Sequence, residues 1–215
     1  AYALLGKVLL YQDKFAEAAS ALDNVIGVYS LVSDYGSQFL RFGENGPESV
    51  FEIQYSNQSN WYDWGCAHCS EGNYAIIMNG PRGWSGPEYA QGWSFNVPTE
   101  EFYNSFEEGD SRRDATVLDI EAFAAATGAS YTEGYDHTGY FNNKYIPRAG
   151  ESGGQTELNY LTNFRIIRYS DVLLMAAEAY NRGGIDDGLA QEFLNQVRRR
   201  AVSYTHLTLP TSQLV

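Results

Sequence analysis

The chain has 215 residues, and its 14 Lys and Arg against 27 Asp and Glu give a formal net charge of −13. A nucleic-acid binder that neutralises phosphates would repel its ligand with this charge, so nucleic acid is not a predicted partner. The 44% apolar and 19% charged residues argue against wholesale disorder. No apolar run approaches the length of about 18 residues that a transmembrane helix needs.

The first predicted elements are two helices within residues 1–27. Residues 1–12 form the first helix, Asp13 is the expected N-cap of a second helix over 14–26, and Gly27 is its expected stop. The second helix has one apolar stripe at helical spacing, which comprises Phe15, Ala18, Ala19, Leu22, Val25 and Ile26.

Small residues at Gly6 and Ala18 would let these two helices approach closely. The pattern around them resembles a tetratricopeptide-type helix pair. A second pair is predicted over 166–201, with one helix from Arg168 to Asn181 and its partner starting near Asp187. We therefore predict a mainly α fold of tetratricopeptide-like helix pairs with long loop insertions and a few short β-strands.

Between the helix pairs, residues 56–163 are rich in loops. Val50–Tyr55 alternates as a short strand with Phe51, Ile53 and Tyr55 on one side, and Thr99 is a predicted N-cap of a short helix through Phe106. Loops of this length inside a compact domain usually carry function.

The loops concentrate aromatic residues, because all four Trp of the chain lie between positions 61 and 93. Indole and phenol rings can stack on the C–H faces of sugars. Asn60, Asp63, Asn73, Asn79 and Gln91 lie among them as possible partners for hydroxyl groups. The alternative is that the rings form the loop region's own small core. The predicted ligand-binding residues are Trp61, Tyr62, Trp64, Trp84, Tyr89 and Trp93.

Cys66-Ala67-His68-Cys69 is the one Cys-x-x-Cys motif. No βαβ pattern surrounds it as in thioredoxin-like sites, and zinc would need two more ligands. A local disulfide that stiffens the loop in an oxidising compartment is favoured over a metal or redox site.

We predict no catalytic residues, no metal site and no cofactor. The acidic run Glu107-Glu108-Gly109-Asp110 could suggest paired carboxylates of a glycosidase. Neighbours in sequence at a helix end more often form a salt-bridged turn, and no nucleotide-binding, zinc-protease or nucleophile-elbow motif is present. His68 and His137 are interpreted as structural.

Both ends of the chain are unusual. It opens inside a helical pattern, so we expect a fragment whose targeting signal lies upstream. Residues 202–211 resemble the conceptual translation of a sequencing adaptor, so 202–215 are predicted to be a non-native tail after a native domain over 1–201. The alternative is a genuine β-prone tail.

Several segments resemble, in order, the SusD/RagB family of outer-membrane nutrient-binding lipoproteins from Bacteroidetes. The resemblance covers 1–201. The first motif runs from Leu5-Gly6-Lys7-Val8 through Phe15-Ala16-Glu17-Ala18. The next motifs are Glu48-Ser49-Val50-Phe51-Glu52-Ile53, Gly92-Trp93-Ser94-Phe95-Asn96-Val97-Pro98-Thr99, Phe106-Glu107-Glu108-Gly109-Asp110-Ser111-Arg112 and Gly139-Tyr140-Phe141-Asn142-Asn143-Lys144-Tyr145. The most specific one is Asn163-Phe164-Arg165-Ile166-Ile167-Arg168-Tyr169-Ser170-Asp171-Val172-Leu173-Leu174-Met175-Ala176-Ala177-Glu178-Ala179, closing with Leu194-Asn195-x-Val197-Arg198-x-Arg200-Ala201.

The resemblance implies a SusD-like, non-catalytic subunit that captures glycans at the outer face of the outer membrane. Its implied partners are a glycan and a SusC-type TonB-dependent transporter. The implied membrane attachment is an N-terminal lipid anchor that would lie outside this fragment. It also implies that Arg168, Asp171 and Glu178 belong to the scaffold. The competing hypothesis is a helical-repeat module that binds only proteins.

Overall fold

Helix pairs dominate the secondary structure of the computed structural model, which describes residues 1–58, 64–153 and 158–202, without the side chains of Ala67 and His68. Its α-helices are α1 (Tyr2–Tyr11), α2 (Phe15–Asp23), α3 (Ala75–Met78), α4 (Glu100–Asn104), α5 (Arg112–Thr116), α6 (Ile120–Thr127), α7 (Tyr169–Arg182) and α8 (Asp187–Ala201). The predicted Trp61, Tyr62, Asn60 and Asp63 and the tail from 203 lie outside the described residues.

Six short strands pair two by two within the described residues: β1 with β6, β2 with β4 and β3 with β5. They are β1 (Ser49–Ile53), β2 (Arg82–Ser85), β3 (Val117–Asp119), β4 (Ser130–Thr132), β5 (Tyr140–Asn142) and β6 (Phe164–Arg168). The predicted mainly α fold with a few short strands is confirmed.

The chain divides into two compact units. The helical unit comprises Ala1–Gln38, Glu44–Glu52 and the described residues from Arg165 onward, and the loop-rich unit comprises Phe39–Gly43 and Ile53–Phe164. In the helical unit α1 packs on α2, α2 on α7, and α7 on α8. The shared core includes Leu22, Val172, Leu173, Ala176 and Phe193.

The close approach of α1 and α2 is confirmed. Ala18 and Leu22 are fully buried, and a Cβ atom added to Gly6 would lie 2.5 Å from the Cγ atom of Leu22. The narrow space between the helices therefore requires glycine at position 6. Backbone conformation does not require it, because Gly6 does not have a positive φ angle.

The predicted cap at Asp13 is wrong. The N-cap of α2 is Lys14 and uses no side-chain hydrogen bond, whereas Asp13 has a φ angle of 57° and follows the C-cap of α1. This left-handed conformation, which Asp tolerates better than most residues, turns the chain between the helices. The Asp13 carboxylate accepts from the Arg182 guanidinium at 3.0 Å.

Of three further helix boundaries, one agrees with the prediction and two differ from it. Helix α2 ends at Asp23, before the predicted 26, and Gly27 follows a series of turns with a φ angle of 81°. Thr99 is the N-cap of α4 as predicted, but α4 ends at Asn104. Sequence periodicity did not reveal α6, which Asp119 caps through a hydrogen bond from the Ala122 N–H.

Strand β1 alternates as predicted, but its buried side chain is charged. Phe51 and Ile53 are 52% and 41% exposed, whereas Glu52 is buried and lies 3.5 Å from Arg165. A second buried ion pair joins Glu48 to Arg200 at 2.7 Å. Arg200, in the last turn of α8, thus ties α8 to the segment before β1.

Within the described residues, none of the helices combines the length and the apolar character needed to cross a membrane.

The packing of Gly6 gives a stability prediction. Gly6→Val should lower the free energy of unfolding by about 1–3 kcal/mol, because the added carbons overlap Leu22 in a filled interface. Ala16→Val is the matched control, since Ala16 is exposed on α2. Urea unfolding followed by circular dichroism measures both. Equal stability of the two variants would show that the α1–α2 interface has room at this position.

Candidate functional site

The loop after β2 is fixed to α3 by a run of backbone hydrogen bonds. The N–H groups of residues 93–95 donate to carbonyls of the segment 77–80 at 2.8 to 2.9 Å. Ser94 and Asn96 have φ angles of 58° and 52°, a conformation uncommon outside glycine. Residues with a negative φ angle thus alternate with residues in the left-handed conformation, and this backbone sets the directions of the Trp93 and Phe95 side chains.

Glycines make this arrangement possible. A Cβ atom added to Gly92 would overlap the backbone of Gly80, and one added to Gly80 would come within 2.6 Å of the Pro147 ring. The loop therefore approaches the backbone of Gly80, just after α3, at a distance that no other residue permits at position 92.

Three aromatic rings form one surface, which we call the aromatic platform: Trp64, Trp93 and Phe95. Trp64 stacks on Trp93 with ring centroids 5.6 Å apart and planes 28° apart, and Phe95 meets Trp93 edge to face at 6.2 Å. Trp64 and Phe95 are 54% and 51% exposed. The platform thus offers large ring faces to solvent, and the hydrogen bonds of the loop position two of its rings, Trp93 and Phe95.

Arg82 contacts two residues of the platform, Trp93 and Phe95. Its Nε–H donates to the Trp93 carbonyl at 2.7 Å, and its guanidinium carbon lies 5.6 Å from the centre of the Phe95 ring. A guanidinium over an aromatic face is attracted by the ring quadrupole. Arg82 therefore holds Phe95 against the loop and places a cation at the edge of the platform.

The Cys-x-x-Cys motif lies directly after Trp64. The structure joins Cys66 and Cys69 in a disulfide, which confirms the predicted local bridge. Both cysteines belong to the short 3₁₀ helix Trp64–Cys69, with a kink at Cys66. The bridge therefore restrains the segment that carries Trp64.

Beside Phe95 a groove of about 390 Å³ opens in the loop-rich unit. We call it the amide groove. Its rings are Phe95, Tyr145 and Phe164, its amides are Asn73, Asn79, Asn96 and Asn142, and its remaining lining is Ala75, Ile76 and Met78. The volume lies in the range of small-ligand sites, and the mixture of rings with a few polar groups is typical of them.

Two of the four amides maintain the shape of the groove. Asn73 donates to the Thr162 carbonyl at 2.9 Å, and its Oδ1 accepts from the Ala75 N–H at 3.1 Å. Asn79 donates to the Ala75 and Tyr145 carbonyls at 3.2 and 3.0 Å. Both are buried, so their polar groups serve the protein itself.

The four described residues of the predicted aromatic site lie in two separate clusters. Trp64 and Trp93 share the platform, but Trp84 and Tyr89 pack 5.9 Å apart, edge to face, in a different core with Phe123, Ile120 and Phe141 among its members. Tyr89 is 4% exposed. The alternative interpretation, that loop aromatics form a local core, thus describes Tyr89 and much of Trp84.

Sequence reasoning missed the rings and amides that complete the site: Phe95, Tyr145, Phe164, Asn96 and Asn142. Only Phe95 and Asn96 had a local signal, since they follow Trp93 directly. Asn73 and Asn79, expected as hydroxyl partners, do line the groove, while Gln91 is exposed outside it.

The acidic run near α5 is a salt-bridged turn. The Asp110 side chain is 1% exposed and accepts from the Arg112 guanidinium at 2.6 Å. Within the described residues, no group of three or more His, Cys, Asp and Glu could hold a metal ion.

The sequence of this chain is similar to those of known proteins. The sequence model of the SusD family matches residues 119–206. A SusD-like protein P2 from Formosa agariphila is 29% identical over 216 residues, which cover 94% of this chain and 41% of that protein.

Two solved structures are similar in sequence and in fold. Surface glycan-binding protein A from Bacteroides thetaiotaomicron in complex with laminarihexaose has a TM-score of 0.87 and 32% identity, covering 96% of this chain and 47% of that one. A laminarin binding SusD-like protein has a TM-score of 0.82 and 39% identity, covering 93% and 46%. The chain thus spans less than half the length of these relatives.

The burial of Tyr89 gives a pH prediction. Burial, and next the charge of Glu88, raise the pKa of Tyr89 to about 12, while an unfolded tyrosine has a pKa of about 10. The folded state therefore retains the phenol proton longer, and stability present at neutral pH falls as the pH rises from about 10 towards 12.

Tyr89→Phe should remove the part of the stability loss at alkaline pH that comes from ionisation of the Tyr89 phenol. The measurement is the free energy of unfolding in urea at neutral pH and at about pH 11, with Tyr135→Phe, an exposed position, as control. An alkaline loss as large in Tyr89→Phe as in the control would contradict the assignment of Tyr89 to the core.

Proposed function

Because this chain belongs to the SusD family, we propose that it is a glycan-binding protein that holds an oligosaccharide or polysaccharide on the aromatic platform and in the amide groove. The observation that carries the proposal is the exposed stack of Trp64 on Trp93, which continues through Phe95 into the groove. The exposed rings of Trp64 and Phe95 make this an open face, which suits a chain-like ligand.

Sugars suit this surface for physical reasons. The axial C–H groups of a pyranose present an apolar face that lies flat on an indole ring, and large rings contribute contact area with little loss of side-chain freedom. The hydroxyl groups around the sugar need hydrogen-bond partners, which the neighbouring amides offer. The ligand named for the Bacteroides thetaiotaomicron relative, laminarihexaose, supports an oligosaccharide as the first ligand to test.

We infer that binding is not followed by cleavage. Asp110, the most suggestive carboxylate of the sequence, is buried and paired with Arg112. The relatives' names describe binding rather than hydrolysis. A glycosidase would instead show turnover of an oligosaccharide that a single Asp or Glu substitution abolishes.

We propose further that the protein works at the outer face of the outer membrane with a SusC-type TonB-dependent transporter, and that a lipid anchor attaches it there. The support is the family to which the chain belongs. Co-purification with such a transporter, without affinity for any glycan, would instead favour the protein-interaction module.

Removing the exposed indole of the stack should weaken binding. Trp64→Ala is expected to reduce glycan affinity about tenfold, because the contact of a ring in a binding site is worth roughly 1–2 kcal/mol. Titration of the full chain with a panel of glycans, followed by tryptophan fluorescence, gives the affinities. Tyr135→Ala, at a site 92% exposed, is the matched control. Equal affinities of the two variants would remove the platform from the site.

The disulfide should support the same surface. The double variant Cys66→Ser/Cys69→Ser is expected to fold and to bind glycan a few times more weakly, because an unrestrained Trp64 loses conformational entropy on binding, about 0.5–1.5 kcal/mol for a mobile side chain. Calorimetric titration of oxidised wild type against the double variant measures the difference. An unchanged affinity would show that stacking on Trp93 alone holds Trp64.

A further inference from the structure

We propose that the amide groove is a subsite for an uncharged sugar residue and that Asn96 and Asn142 determine its specificity by binding the hydroxyl groups. This inference rests on the proposed function, since it assumes that a glycan lies on the adjacent aromatic platform. It goes further by naming the residues that select the sugar and the class of sugar that they accept.

Asn142 carries the donor group of the subsite. Its Oδ1 accepts from the backbone N–H groups of Lys144 and Tyr145 at 3.1 and 3.2 Å. These two donors fix the orientation of the amide, because only its oxygen can accept from an N–H. The Nδ2 group takes no part in these two bonds, and both of its N–H donors have no partner among the described residues.

Asn96 supplies the second polar group. Its Nδ2 donates one hydrogen to Asn79 Oδ1 at 3.3 Å, which leaves the other hydrogen and the Oδ1 acceptor without a partner in the described part of the chain. Its φ angle of 52° is tolerated by Asn and Gly better than by other residues. The left-handed backbone thus presents an amide in the groove at a small conformational cost.

The donors and the acceptor of the two amides are suited to hydrogen bonds with neighbouring hydroxyl groups of a sugar. Asn142 offers two donors, and Asn96 offers one donor and one acceptor. A pyranose hydroxyl can accept and donate at once, so neighbouring hydroxyls can use all of these groups. Phe95 and Phe164, which are 51% and 41% exposed, line the same groove and provide apolar surface for the C–H groups.

The lining of the groove also determines which sugars it disfavours. Among the described residues, none that lines the groove is charged. A uronate or sulfated sugar would lose its hydration there without gaining a paired cation, which is costly for an ion. The formal net charge of −13 opposes the approach of a polyanion as well.

The test uses Asn142→Asp and Asn96→Gly in the full chain. Asn142→Asp keeps the Oδ1 acceptor that the backbone of 144–145 requires and replaces the NH2 group, with its two donors, by a charged oxygen. Asn96→Gly keeps the positive φ angle and removes the amide. Asn104→Asp, at an exposed position of α4, adds the same charge as Asn142→Asp away from the groove.

The probes are hexasaccharides of neutral glucan, mannan and galactan, and hexagalacturonate as the anionic probe, each titrated calorimetrically. We expect the wild type to bind a neutral hexasaccharide at least about tenfold more tightly than hexagalacturonate. Asn142→Asp and Asn96→Gly should each weaken that binding about fivefold or more, and Asn104→Asp less than about twofold. Circular dichroism and thermal unfolding confirm that the variants fold.

Three results would overturn the inference. If Trp64→Ala weakens glycan binding while both groove variants bind like wild type, the platform binds the glycan alone and the proposed function survives. If hexagalacturonate binds as tightly as the neutral probes, the assignment to uncharged sugars is wrong. If the wild type binds no probe, the proposed function fails together with the subsite.

Discussion

The side-chain amide of Asn79 is the interaction on which the candidate site depends. Its Nδ2 group donates to the carbonyls of Ala75 and Tyr145 at 3.2 and 3.0 Å, and its Oδ1 accepts from Asn96 at 3.3 Å. One buried side chain thereby joins α3, the segment after β5 and the loop that carries Trp93 and Phe95. Because a buried amide is costly to leave unpaired, these three segments keep a common geometry.

This geometry stores some backbone strain. Ser94 and Asn96 both adopt left-handed conformations, each of which costs on the order of 1 kcal/mol for a residue other than glycine. The ladder from 93–95 to the segment after α3 compensates for that cost, and the Ser94 hydroxyl accepts from the Arg82 N–H at 3.1 Å. The rings are therefore arranged before a ligand arrives, and binding need not order them.

The sequence predicted those features that depend on neighbours along the chain. Helical periodicity located the helix pairs, and the small residue Gly6 indicated the tight contact of α1 with α2. The division of the tryptophans could not be predicted, because Trp64 and Trp84 differ only in what the folded loops bring beside them. Asn142 gave no signal at all, since its free donors result from two backbone N–H groups that hold its oxygen. The burial of Glu52 could not be predicted for a similar reason, because its partner Arg165 lies far away in sequence.

The charged side chains described above serve mainly to hold the structure together. The helical unit contains the buried ion pairs of Glu48 with Arg200 and of Glu52 with Arg165, where charge serves packing. At the platform, Arg82 is attached to the Trp93 carbonyl and to the Phe95 ring, so its first role is to orient a ring. Stacking and amide hydrogen bonds act only at contact distance, whereas net charge acts over about 10 Å in salt solution. If this face binds a glycan as proposed, discrimination between sugars depends on the positions that Asn79 fixes, and the overall charge of the protein affects chiefly which polymers approach it.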